Sequence, residues 1–120
     1  MQRKNWILSM AVVLLTAFVI GGRVNNTFAA TPSDKPASEV AVKIDNFSFS
    51  PATITVSAGT TIRWTNRDDI PHTVVSDDKT TFKSKVLDTD EQFTYTFTKP
   101  GTYSYFCSIH PKMTAKVVVQ

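Results

Sequence analysis

From Val40 onward, apolar and polar residues alternate in short runs rather than in helical turns. Val40, Val42 and Ile44 alternate with more polar neighbours, as a half-buried strand requires, and Phe47 and Phe49 continue the pattern up to Pro51. A second short strand covers residues 53–56, and Ser57-Ala58-Gly59 turns the chain. Residues 60–66 follow with Ile62 and Trp64 on one face and Arg63 on the other, which places a large indole in the core. Residues 72–75 read as a further strand. The polar stretch 76–91 has only Phe82, Val86 and Leu87 as apolar pins, and its order is the least defined. Phe93, Tyr95 and Phe97 then alternate with threonines, Lys99-Pro100-Gly101 makes a turn, and residues 102–107 run back as the hairpin partner. Residues 116–119 close the chain as a strand.

Seven or eight short strands, punctuated by Gly, Pro and Asp, predict an all-β domain: a small antiparallel β-sandwich with Greek-key connections. An immunoglobulin-like sandwich has the same strand count, but its paired cysteines are absent, since the chain has one Cys.

The N-terminus has a different character. Arg3 and Lys4 precede an apolar run over residues 7–20, and Thr27-Phe28-Ala29 supplies small residues where a signal peptidase cuts, so residues 1–29 read as a signal peptide. An uncleaved anchor acting as a membrane tether is the competing reading, although the run is short for a bilayer span. Residues 30–39 form a Pro/Ser-rich linker, and residues 40–120 are the folded domain. The mature protein is expected to be periplasmic or otherwise extracytoplasmic.

This division changes the meaning of the charge. The formal net charge is +3, and Arg3, Lys4 and Arg23 supply all of it. The remaining domain has ten basic against ten acidic residues, so no nucleic-acid partner is implied. Asp68-Asp69 and Asp77-Asp78 read as solvated turns, because adjacent carboxylates do not converge on one site.

A single cysteine in an exported chain excludes an internal disulfide and calls for an explanation by burial, intermolecular pairing or metal ligation. Cys107 lies in the run Cys107-Ser108-Ile109-His110-Pro111-Lys112-Met113, and the other histidine of the chain is His72. In a sandwich, the end of the strand bearing Cys107 and the start of the strand bearing His72 can lie at one pole. A thiolate, two imidazoles and a thioether suit copper in both oxidation states, in the type 1 arrangement of Cys and two His with a weak axial Met. Zinc fits less well, because its structural sites close with four strong donors. A Cys-His nucleophile is disfavoured, since Cys107 ends a strand and no oxyanion-binding glycine loop adjoins it.

Residues 61–75 (TIRWTNRDDIPHTVV) and 97–119 (FTKPGTYSYFCSIHPKMTAKVVV) resemble the amicyanin, plastocyanin and pseudoazurin branch of the cupredoxins. Pro71-His72 and the G-x-Y-x-Y-x-C-x-x-H-x-x-M run ending at Met113 carry the resemblance, and the short two-and-two loop is most similar to amicyanin. The resemblance implies a blue-copper electron carrier, not an enzyme. One copper ion would be held by His72, Cys107, His110 and Met113, with His110 at the exposed edge. The implied partners are a redox donor and acceptor, such as a cytochrome, dehydrogenase or oxidase, and the protein is expected to be a monomer. A copper-delivery protein is the alternative, and the absence of Met-rich or His-rich tracts from the mature chain weighs against it.

The chain departs from many members at two positions: Thr73 stands where they carry Asn, and Ile109 where they carry Pro. Hydroxyls on Thr73 and Ser108 are expected to bond and tie the two ligand segments together. The Ile109 amide is expected to point at the thiolate and raise the reduction potential. Ile70, Pro71, Ile109 and Pro111 would form an apolar rim around His110.

Overall fold

A computed structural model describes residues 37–120. The segments read as signal peptide and as most of the linker lie outside the described residues, and the first strand opens at Glu39, one residue before the expected boundary. The strands are β1 (Glu39–Asp45), β2 (Ser48–Ser50), β3 (Thr53–Val56), β4 (Thr60–Asn66), β5 (Val75–Ser76), β6 (Gln92–Phe97), β7 (Gly101–Phe106) and β8 (Thr114–Val119). They form two four-stranded sheets, ordered β2-β1-β4-β6 and β3-β8-β7-β5.

The β-sandwich is as the alternation predicts, but its sheets are mixed rather than antiparallel throughout. β1 pairs with β4, and β3 with β8, in parallel register. The reason is the route of the chain: β3 carries it into the opposite sheet, and β4 brings it back beside β1. Alternation records which face of a strand is buried and says nothing of its neighbour's direction.

Each sheet turns its apolar set inward. β4 buries Thr60, Ile62, Trp64 and Asn66 in strict alternation. Trp64 is fully buried, stacked on Phe82 at 5.8 Å and Phe93 at 5.6 Å, with Tyr105 edge-on at 5.6 Å. Gly59 ends the preceding turn at φ 92°, a conformation that favours glycine.

Two local expectations are corrected. Phe47 does not continue the strand: Asn46 and Phe47 have φ values of 48° and 55°, making a two-residue left-handed turn between β1 and β2. The turn leaves Phe47 54% exposed while Phe49 is buried. The strand expected at residues 72–75 shortens to β5, with His72 attached only by a bridge to Leu87.

The stretch 76–91 is well tied. Phe82 and Leu87 are buried, whereas Val86 is exposed. Asp78 accepts hydrogen bonds from Ser76 Oγ, the Thr80 and Thr81 amides and Thr81 Oγ1, which close the turn and hold its carboxyl below the usual range. The Ser84 amide donates to Val74 O, and Val74 N–H donates to Ser84 Oγ, both at 2.8 Å, so this stretch lies against the segment that presents His72.

Candidate metal centre

Cys107 follows the last residue of β7, and the alternation of that strand turns Tyr105 and Cys107 into the core. The loop then folds back on itself. Cys107 N–H donates to Met113 O at 3.0 Å, and Met113 N–H donates to His110 O at 2.9 Å. These bonds fix a tight loop whose dimensions follow from the two-residue gaps in the sequence.

His72 reaches the same pole on the segment between β4 and β5. Its backbone exchanges hydrogen bonds with Leu87, at 3.1 and 2.8 Å. Buried Asn66 anchors the approach, donating to Ile70 O at 2.8 Å and Leu87 O at 2.9 Å and accepting from the Asp68 amide at 2.9 Å.

Of the four residues expected to converge, His72, Cys107 and His110 bring their donor atoms together. His72 Nδ1 lies 3.6 Å and His110 Nδ1 3.8 Å from Cys107 Sγ, and one donor atom from each of the three residues lies within 4.8 Å of the others. Met113 is 5% exposed and belongs to the same buried cluster as Cys107. Cys107 and His72 are fully buried, while His110 keeps partial exposure. Among the described residues no further His or Cys offers a strong fourth donor. The set is therefore two nitrogens, a thiolate and a neighbouring thioether, which suits copper better than zinc.

The electrostatics prepare the thiolate. Burial pushes the Cys107 thiol up, but the Thr73 amide at 3.3 Å, His72 and His110 outweigh it and bring the thiol from 9.0 down to about 6. The amides that act on Sγ are thus those of Thr73 and His110, and among the described residues Ile109 makes no such bond. The loop doubles back after Cys107 and leaves Ile109 42% exposed. The expected hydroxyl tie is present: Thr73 Oγ1 and Ser108 Oγ are 2.8 Å apart.

Two participants were not legible along the chain. Asp68, read as part of a solvated turn, accepts from His72 Nε2–H at 2.9 Å and from the Phe47 amide at 3.0 Å, both through Oδ2. The Phe47 amide and then His72 hold its carboxyl below the ordinary range. A carboxylate only accepts, so Nε2 carries a ring proton and Nδ1 is the ring nitrogen turned toward Cys107. The sequence signal for this role is a carboxylate four residues before His72. The second participant is Phe47, whose ring meets His110 edge-on at 5.0 Å and His72 at 5.9 Å.

Asp68→Ala is expected to weaken copper affinity roughly 10–100-fold, because it frees the His72 ring to rotate and removes the carboxylate that raises its basicity. Competition against a chelator measures this, and an unchanged affinity would refute the orienting role.

A model of the family described as a cupredoxin-like domain matches residues 10–119. The chain belongs to the cupredoxin-like family. This cupredoxin is 30% identical to amicyanin of Paracoccus versutus over 94% of this chain and 96% of that protein. It is 34% identical to amicyanin of Paracoccus denitrificans over 92% of each. Among solved structures, a purple cupredoxin from Nitrosopumilus maritimus aligns with TM-score 0.65 and 32% identity, over 68% of this chain and 99% of that one. The relatives agree with the fold, and copper is the cofactor of this cupredoxin.

Proposed function

We propose that this cupredoxin is a mobile one-electron carrier working outside the cytoplasm, whose copper would be held by His72 Nδ1, Cys107 Sγ and His110 Nδ1, with Met113 as a weaker fourth ligand. Copper, when bound, alternates between Cu(I) and Cu(II) and so supplies one-electron chemistry. The observation that carries the reading is a preformed, buried donor set with one imidazole reaching the surface. Bonds from Asp68, Thr73 and Leu87 hold these donors within the fold, so little rearrangement is needed when the charge of the site changes.

The surface around His110 supports the same conclusion. Phe47, Ile109, Pro71 and Pro111 are exposed and Ile70 is half-buried. Such a small apolar rim suits a brief encounter with a redox protein, where contact areas are small and dissociation is fast. A cytochrome, dehydrogenase or oxidase fits as donor or acceptor, and the carrier is read as a monomer. Its likeness to amicyanins supports the carrier role, and the complete burial of Cys107 and His72 weighs against rapid release of copper to another protein.

Visible absorption and EPR of the copper-loaded protein, followed by stopped-flow mixing with a reduced cytochrome, test this proposal. An intense cysteinate charge-transfer band and rapid electron exchange are expected. A colourless site that gives up its copper to a weak chelator would sink the carrier reading.

A further inference from the structure

Thr73 holds the sulfur in two ways, and only one of them is fixed. Its backbone amide donates to Cys107 Sγ at 3.3 Å. Its hydroxyl, 5% exposed as part of a buried residue, sits among three polar groups. Thr73 Oγ1 accepts the Ser108 amide proton at 2.7 Å, lies 2.8 Å from Ser108 Oγ and lies 3.8 Å from Cys107 Sγ.

A hydroxyl has one hydrogen and two acceptor lone pairs. The Ser108 amide occupies one lone pair. When Ser108 Oγ donates to Thr73, the second lone pair is filled and the Thr73 hydrogen is released toward the sulfur. When Thr73 donates to Ser108 Oγ, the sulfur loses that hydrogen bond and keeps only its amide donors. Ser108 is exposed, so its hydroxyl also answers to water or to any surface laid over it.

We propose that Ser108 and Thr73 form a two-hydroxyl relay that transmits the hydrogen bonding of the protein surface to the Cys107 sulfur and so adjusts the reduction potential of the site. It rests on the copper reading above. A sulfur carrying more negative charge is the better acceptor, and the added electron of the reduced state increases that charge. Donation from Thr73 therefore favours the reduced state. A redox partner that sets an acceptor atom over Ser108 draws its hydrogen outward, turns the Thr73 hydrogen toward Ser108 Oγ and favours release of the electron.

Three copper-loaded variants test the relay by potentiometry, with resonance Raman of the copper–sulfur modes in H2O and D2O as a second readout. Thr73→Val keeps the amide donor and removes the hydroxyl. It is expected to lower the reduced-to-oxidised ratio at a fixed applied potential by roughly tenfold, about 59 mV for a one-electron couple. It should also diminish the solvent-isotope shift of the sulfur modes. Ser108→Ala leaves the Thr73 hydrogen only the sulfur as acceptor and is expected to move the potential upward, opposite in sign to Thr73→Val. Thr73→Ser restores the hydroxyl and should return the potential close to that of the wild type.

A Thr73→Val protein with an intact charge-transfer band and an unchanged potential overturns the relay. So does a Ser108→Ala protein whose potential falls, since mere loosening of the loop would lower both, or a Thr73→Ser protein that behaves like Thr73→Val. A wild-type protein without the charge-transfer band overturns the copper reading and the relay together.

Discussion

Replacing Cys107 with serine is expected to abolish the intense visible absorption of the copper-loaded protein while leaving the sandwich folded. The sulfur is the atom on which the site converges, with His72 Nδ1 at 3.6 Å, His110 Nδ1 at 3.8 Å and the Thr73 amide at 3.3 Å. A serine hydroxyl is a hard donor that stays protonated, so it supplies neither the soft anion nor its charge transfer. The bond from the residue 107 amide to Met113 O belongs to the backbone and survives the change. A Cys107→Ser protein that kept the band would remove the thiolate from the proposed ligand set.

The same residue gives the metal-free protein a pH dependence. Folding lowers the thiol from 9.0 to about 6, so the native state binds that proton less tightly than the unfolded chain does. The resulting stabilisation is complete above the unfolded value near 9.0 and is lost as the pH falls through about 6. Denaturant melts of metal-free wild type and Cys107→Ser should therefore diverge as the pH rises through this window. Parallel profiles would show that the fold does not hold a thiolate.

The second large effect concerns the core. Trp64→Ala is expected to cost about 3–5 kcal/mol, a large fraction of the stability of a small domain. Trp64 is fully buried, with Phe82, Phe93 and Tyr105 ranged around its ring. Its removal leaves a cavity between the sheets that these rigid rings cannot close. Trp64→Phe should cost less, partly because the buried indole N–H lacks a hydrogen-bond partner of good geometry and is lost in the exchange. The Tyr105 hydroxyl is buried in the same condition, and burial pushes it up to about 12, with Trp64 pulling slightly the other way. Urea unfolding followed by circular dichroism measures both variants. A loss below about 1 kcal/mol for Trp64→Ala would show that the aromatic stack is not the centre of the core.

What was legible along the chain was legible for local reasons. Alternation in residues 60–66 reports burial because successive strand side chains point to opposite faces, and β4 buries every second residue as expected. Cys107, His110 and Met113 lie within seven positions, so short-range spacing already builds most of the donor loop. Thr73 and Ser108 adjoin His72 and Cys107, so their hydroxyl tie follows once those two meet.

The features that escaped are those joining distant segments. The bond between the Phe47 amide and Asp68 spans 21 positions, and it exists only because a left-handed turn points the Phe47 backbone at the loop after β4. The parallel pairing of β1 with β4 likewise depends on where the chain crosses between sheets.

The sequence by itself determined the buried faces, the four candidate donor residues and the metal they suit, because these depend on side-chain chemistry and on the period of a strand. Only the tertiary structure decided which amides act on the sulfur, which carboxylate orients His72 and which ring meets both imidazoles edge-on. Those contacts are made by backbone groups and turns whose directions no residue type specifies until the two sheets are packed.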